Sequence, residues 1–421
     1  MIEIALGFSL TILLLIVSLF FIKNKGEVSW FFLYMLAFFF LGVVFKPIIH
    51  YVFSYDWIEP TGGFDFSLTD WSRYWLYSSM IIAGLLLGRL FGIPFKGNKD
   101  NKFIITRLMP IHVWVVLVFF LSIPYVLNFK FNFFVTGVPS KIDLPFYLNA
   151  HIAYLIKFGI PLILVALFSY DVLSRRMVRT NLLILIFFFS LLASVSTASR
   201  IFVVLVWLPI LVSIFYLHKS HFLKINLNIF YFSFFGLVLS LIFVSLYRIE
   251  LYSINASTIS GVYIGYFRES LSLFINRWIG AEALMVSIGE SLASIDIFFK
   301  LLLEDASLGV NSFYQVSSNS KYVADEDFVF LTLPGYYGIV GMSGTYYIIF
   351  LSVILLSLIG FVIERILSNL FCNPILSSFV SFNIANAFSQ VSFAYLTFVF
   401  LAYICISIFL LYVFLMILRR I

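Results

Sequence analysis

A chain of 421 residues that is 62% hydrophobic and only 11% charged carries too little polar surface to face water on all sides; soluble domains carry roughly 25% charged residues. Its net charge of +6 is distributed in step with the apolar runs, which argues against a nucleic-acid partner, and its two cysteines, Cys372 and Cys405, stand in no metal or redox spacing. The solvent around most of this chain is lipid.

A bilayer-crossing helix needs about 20 mainly apolar residues. Taken in chain order, such runs fall at 3–22, 29–45, 71–92, 109–128, 152–172, 181–198, 201–217, 229–247, 336–363, 373–392 and 396–418, which predicts an all-α polytopic membrane protein of about 11 transmembrane helices. The first run lacks a basic flank ahead of it and a small-residue cleavage site behind it, so it reads as a retained helix rather than a signal peptide. Little more than Ser199 and Arg200 separates the sixth and seventh runs, which predicts a tight helical hairpin. The chain thereby divides into an N-terminal membrane bundle (1–247), a long extramembrane loop (248–333) and C-terminal membrane helices (334–421).

Lys and Arg in short loops set orientation, because they accumulate on the cytoplasmic side. With the N-terminus outside, that side receives Lys23, Lys25, Arg89, Lys96, Lys99, Lys102, Arg107, Arg175, Arg176, Arg179, Lys219, Lys224, Arg365, Arg419 and Arg420, while the short outer loops hold Lys46, Arg73, Lys130, Lys141 and Arg200. The C-terminus is then cytoplasmic, and the long loop faces outward. The cytoplasmic loops are too short for a nucleotide-binding domain.

Within the long loop, Phe267, Leu271, Phe274 and Trp278 recur at helical spacing, and Ala281, Leu284, Met285, Ile288 and Leu292 continue the pattern. These predict amphipathic helices lying on the bilayer or packed over the bundle. A more apolar run follows from Ile295 to Leu303, and an acidic triplet, Asp325-Glu326-Asp327, precedes the return to the membrane. Arg268 and Arg277 stand nine residues apart, on opposite sides of a continuous helix, so only one faces a groove above the bundle unless the helix breaks between them. Lys157 alone lies well inside a predicted span.

Three stretches, Ser194 to Arg200 (SVSTASR), Arg277 to Leu284 (RWIGAEAL) and Leu333 to Gly344 (LPGYYGIVGMSG), resemble the Wzy-type O-antigen polymerases, also described as oligosaccharide repeat unit polymerases. The resemblance implies a GT-C-like helical bundle in the bacterial inner membrane, with a long periplasmic loop. It also implies a glycosyltransferase of lipopolysaccharide or related polysaccharide biosynthesis, which polymerises undecaprenyl diphosphate-linked oligosaccharide units at the periplasmic face. Its partners would be those lipid-linked oligosaccharides as donor and acceptor, membrane lipid and a polysaccharide co-polymerase that regulates chain length, with no nucleic acid, metal or other cofactor. An O-antigen ligase is the rival within the enzyme class, and a lipid-linked oligosaccharide flippase or transporter is the rival outside it.

Arg holds a diphosphate with a planar fork and keeps its proton. Arg200 and Arg277, each inside a stretch that resembles the family, are therefore the expected catalytic arginines, with Arg248, Arg268 and Arg73 as further diphosphate-binding candidates; anchoring to lipid headgroups is the alternative use of each. Glu282, five residues after Arg277, is the carboxylate candidate for general base, beside the acidic triplet and the outward-lying His50 and His151. His218 and His221 fall on the cytoplasmic side. Pro334-Gly335 followed by Gly338, Gly341 and Gly344 allows close helix packing or an anion at the helix start, with Gly335 as the binding residue.

Overall fold

Every apolar run read from the sequence is helical in the computed structural model, which describes residues 2–24, 27–53, 57, 60–92, 110–135, 144–145, 148–199, 201–224, 228–252, 280–305, 308, 311–319 and 333–420. Eight helices among the described residues are long and apolar enough to cross a membrane. They are α1 (Ile2–Phe21), α2 (Trp30–Phe53), α3 (Leu68–Gly92), α4 (Ile111–Phe131), α5 (Leu148–Arg175), the helix α7 (Ile201–Lys219), and two C-terminal helices, Tyr346–Phe371 and Ala394–Arg420. Between α5 and α7 stands the 17-residue α6 (Thr180–Ser196), and α8 (Asn228–Tyr252) follows α7. The remaining helices are α9 (Ala281–Gly289), α10 (Ile295–Leu303), α11 (Phe313–Ser317), α12 (Gly335–Gly341), α13 (Tyr346–Phe371), α14 (Pro374–Ser389) and α15 (Ala394–Arg420). The only sheet among the described residues is a hairpin of two-residue strands, Lys23–Asn24 and Glu27–Val28, between α1 and α2.

Large apolar side chains such as Phe20, Phe119, Phe120, Leu355 and Phe409 stand exposed around the outside. On a soluble protein such a belt would be an aggregation hazard, whereas in a bilayer it is the lipid-facing surface. The most extensive contact joins α3 to α13. Gly84, Gly88 and Gly92 repeat every fourth residue along α3 and bring its backbone against Val353, Ser357 and Phe361 of α13. Without a hydrophobic drive between helices in lipid, such small residues gain association through close van der Waals contact.

The 16-residue α14 runs through the interior against α2, α5, α7 and α13. Its N-terminus is buried and is capped by side chains of the bundle. Asn373 Oδ1 accepts from the Ile375 and Leu376 amides at 3.1 Å each, while its Nδ2 donates to Ser169 Oγ at 2.6 Å. Glu364 does the same for α2, accepting from the Trp30 amide at 2.7 Å, the Phe31 amide at 3.3 Å and Ser29 Oγ at 3.0 Å.

The tight hairpin between the sixth and seventh runs is present. Ser199 N donates to Ser194 O at 2.9 Å, and Ala198 turns through a left-handed conformation. Asn128 at the end of α4 ties this turn down, donating through Nδ2 to Ser196 O at 2.9 Å and Ser196 Oγ at 3.0 Å.

Several expectations are corrected. The second helix does not end at residue 45: it continues through a π-helical segment, Phe40–Phe45, to Phe53, so Lys46 lies inside a helix rather than in a loop. The ninth run is not one helix but two, α12 and α13, broken at Gly344. Of the two placements expected for the loop helices, α9 takes the packed one, since Ala281 through Ile288 are all buried. Helix α10 keeps the amphipathic character expected of this loop: Phe298 and Leu301 are buried while Phe299 and Leu303 are exposed, and it packs on α15. Lys157 is not alone well inside a helix: Lys46 stands there too and is fully buried, while Arg89 and Asp171 are buried near the ends of α3 and α5.

Candidate functional site

The described part of the molecule has one buried ion pair joining the bundle to the long loop. Lys46 of α2 is fully buried, and its Nζ meets Glu282 Oε1 of α9 at 2.5 Å. Three local features build this contact. The π-helical turn Phe40–Phe45 carries one residue more per turn than an α-helix and so resets the direction of everything after it. Tyr74 of α3 donates its hydroxyl to Val43 O within that turn at 2.6 Å, satisfying a carbonyl in the irregular segment, and stands close enough to interact electrostatically with Glu282. Gly280, at φ 148°, brings the chain against Gly42 and Val43, where a Cβ would come within 2.8 Å of Val43 Cγ2. A side chain at position 280 would be strained both by that conformation and by that contact.

Burial pushes the Glu282 carboxyl above its ordinary range, while the Lys46 ammonium pulls it back. One turn beyond Lys46, on the same helix face, His50 is buried and stacks on Trp57 with ring centroids 3.9 Å apart.

The stretch from Leu333 to Gly344 packs directly on the stretch that contains Glu282. Positions 338 and 341 of α12 are so close to Ala283 and Ser287 of α9 that a Cβ would approach their side chains to 2.8 Å and 2.3 Å. The glycines here serve helix packing. Gly335 is not an open anion-binding position: its amide donates to Val391 O at 3.0 Å, and α12 is only seven residues long.

Of the other expected site residues, Arg200, Arg268 and Arg277 lie outside the described residues, as do Asp325, Glu326 and Asp327. Arg248 falls near the end of α8, and its side chain likewise lies outside what the structure describes. Arg73 is exposed on the second turn of α3. His151 is exposed at the start of α5, with Nδ1 2.7 Å from the Tyr403 hydroxyl. Glu282 is held by Lys46 instead of facing an open surface, a partnership that the sequence reading missed. What the sequence does signal is that residue 46 is helical: Lys46 and His50 stand four residues apart in a run (KPIIHYVF) whose apolar positions continue the helix. Among the described residues no group of three or more His, Cys, Asp or Glu side chains is placed to hold a metal ion.

Eight apolar helices of spanning length, joined by small-residue contacts and internal caps, define a polytopic helical membrane protein. Compared with protein-family models, curated proteins and solved structures, the chain matches none.

Proposed function

We propose that the protein polymerises undecaprenyl diphosphate-linked oligosaccharide repeat units into O-antigen or a related surface polysaccharide, by glycosyl transfer at the periplasmic face of the bacterial inner membrane. One observation carries this reading. Two of the three stretches that resemble the O-antigen polymerases, 277–284 and 333–344, are far apart in sequence yet meet through α9 and α12, beside the Lys46–Glu282 pair. In this reading α6, α8 and α14 join the eight long helices as spans, giving eleven in a GT-C-like bundle with the N-terminus outside. Arg200 and Arg277 bind the diphosphate leaving group, Arg248, Arg268 and Arg73 assist at the outer surface, and a chain-length regulator is the protein partner.

The test uses a strain lacking its own polymerase. Expression of the chain should restore a polysaccharide ladder, whereas a ligase would restore only attachment of preformed polymer to its final acceptor. Arg200→Ala and Arg277→Ala should each cost about 10- to 150-fold in rate, the worth of a lost charge-assisted contact. Arg→Lys should remain clearly impaired, because an ammonium lacks the two-pronged geometry. Normal ladders from both Lys variants at normal membrane levels would reassign these residues to headgroup anchoring.

Orientation has its own test. Cysteines placed at the exposed positions Lys130 and Arg73 should react with an impermeant thiol reagent in cells whose outer membrane alone is permeabilised, and those at Arg176 and Lys219 should not. The reverse pattern would put the proposed site in the wrong compartment.

The buried Lys46–Glu282 pair also favours a second reading, transport of a lipid-linked oligosaccharide, because ionisable residues inside a membrane bundle mark ion and substrate paths. Purified protein in liposomes separates the two: a flippase moves a labelled lipid-linked unit between leaflets without lengthening it.

A further inference from the structure

Lys157 lies inside a helix of spanning length and has no role in the proposed site. It lies nine residues into α5, about 13 Å from the helix start at 1.5 Å per residue. Helix α5 has 28 residues, about 42 Å, against an apolar thickness of about 30 Å. Its polar first turns, with Asn149 and His151, therefore extend into the headgroup region, and Lys157 falls near the first apolar turn below. The side chain is exposed, and among the described residues no carboxylate pairs with it. A lysine ammonium at that depth is costly without an anion, and its stem is long enough to lift the charge toward the level of lipid phosphates.

The surroundings are built rather than incidental. Lys157 lies in the second π-helical segment, Leu155–Gly159, whose Ile156 carbonyl accepts the Tyr125 hydroxyl at 2.8 Å. Its Nζ stands 4.2 Å from the centroid of the Phe134 ring. That ring sits on a fixed backbone: Phe134 N donates to Asn128 Oδ1 at 2.9 Å, and Asn128 Nδ2 donates to Phe134 O at 2.9 Å. Asn128 is the same residue that clamps the α6–α7 turn through Ser196, so the lysine shelf and that turn are one hydrogen-bonded unit. One turn before Lys157, Tyr154 stacks on Tyr403 of α15 at 4.5 Å and bonds Ser407 Oγ at 2.6 Å, forming an aromatic collar of the kind found where chains meet headgroups.

We propose that Lys157, seated over Phe134, binds the phosphate of an anionic membrane lipid. The Phe134 face stabilises the ammonium from one side, and the phosphate completes its neutralisation from the other. The site does not depend on the polymerase reading, since any anionic phospholipid headgroup supplies the same chemistry.

The experiment is native mass spectrometry of the full chain released from nanodiscs of phosphatidylglycerol or of phosphatidylcholine. Wild type should retain one phosphatidylglycerol in clear preference to phosphatidylcholine. Lys157→Met should lower that retention at least tenfold, Lys157→Arg should keep it, and Phe134→Ala should lower it about threefold or more. Matching thermal unfolding temperatures of wild type and Lys157→Met ensure that the loss is not one of folding. Equal retention by Lys157→Met, or equal retention of the two lipids by wild type, would overturn the proposal. So would protection of wild type by inorganic pyrophosphate with none from phosphatidylglycerol, since the site would then be one for a free anion.

Discussion

Glu282→Ala is expected to destabilise the protein by about 3–5 kcal/mol, because it takes the facing carboxylate away from the fully buried Lys46 ammonium. The reciprocal change should be milder. Lys46→Met leaves a carboxyl that burial already drives toward its protonated, neutral form, so the stranded group can discharge itself. Replacing both partners by apolar residues of similar volume, Lys46→Met with Glu282→Met, should return stability to near the wild-type level, as removal of whole buried ion pairs often does. Thermal unfolding in detergent measures all three. An unchanged melting temperature for Glu282→Ala would mean that the pair is not sealed from solvent. The double variant also separates structure from chemistry: a stable protein that makes no polysaccharide ladder would assign the charges a role in the reaction, and a full ladder would leave them a role in folding alone.

Gly88→Leu should disrupt the α3–α13 contact and cost about 1–3 kcal/mol from overpacking. A Cβ at position 88 would lie 2.5 Å from Ser357 Cβ and 3.1 Å from Ile354 O. The carbonyl belongs to the helix itself, so the two helices must separate to make room, and the Ser357 hydroxyl would lose its 3.3 Å bond to Leu85 O. Gly236→Ala is the matched control. Its new Cβ would meet only the tip of the Phe187 ring, at 3.1 Å, and a slight ring movement should absorb it with little change in melting temperature.

These two sites also mark what the sequence made readable. Spans were legible wherever a long apolar run dominated its neighbours, which is why each run became helix. The break between α12 and α13 was not, because GMSG inside a long apolar run has the composition of a tolerated packing stretch as much as of a turn. Lys46 follows the second apolar run directly, and its charge gives no local sign that the helix goes on past it. What keeps it inside is Glu282, a partner on a distant element that no local pattern announces. The Gly84, Gly88 and Gly92 repeat was visible as small residues at a spacing of four, but the helix it contacts is set only by tertiary packing. Glu282 could be named from its neighbourhood to Arg277, whereas its burial could not, since α9 is too short for its periodicity to distinguish a covered helix from a surface one.

The π-helical turn at Phe40–Phe45 has an evolutionary corollary. Such a turn is an α-helix with one residue too many, so deleting a single residue from it, Val44 for example, should restore regular α-geometry rather than break the helix. Side chains beyond the deletion would keep their bearings: the wider turn rotates about 100° less than the same residues in α-geometry, and removing one residue takes away that same step, so Lys46 would still face Glu282 and His50 would still face Trp57. A chain of common descent one residue shorter at this point would therefore keep both the span and the ion pair. A one-residue gap at this segment is therefore the one to allow for when such chains are aligned, with Lys46 and Glu282 kept in register on either side of it.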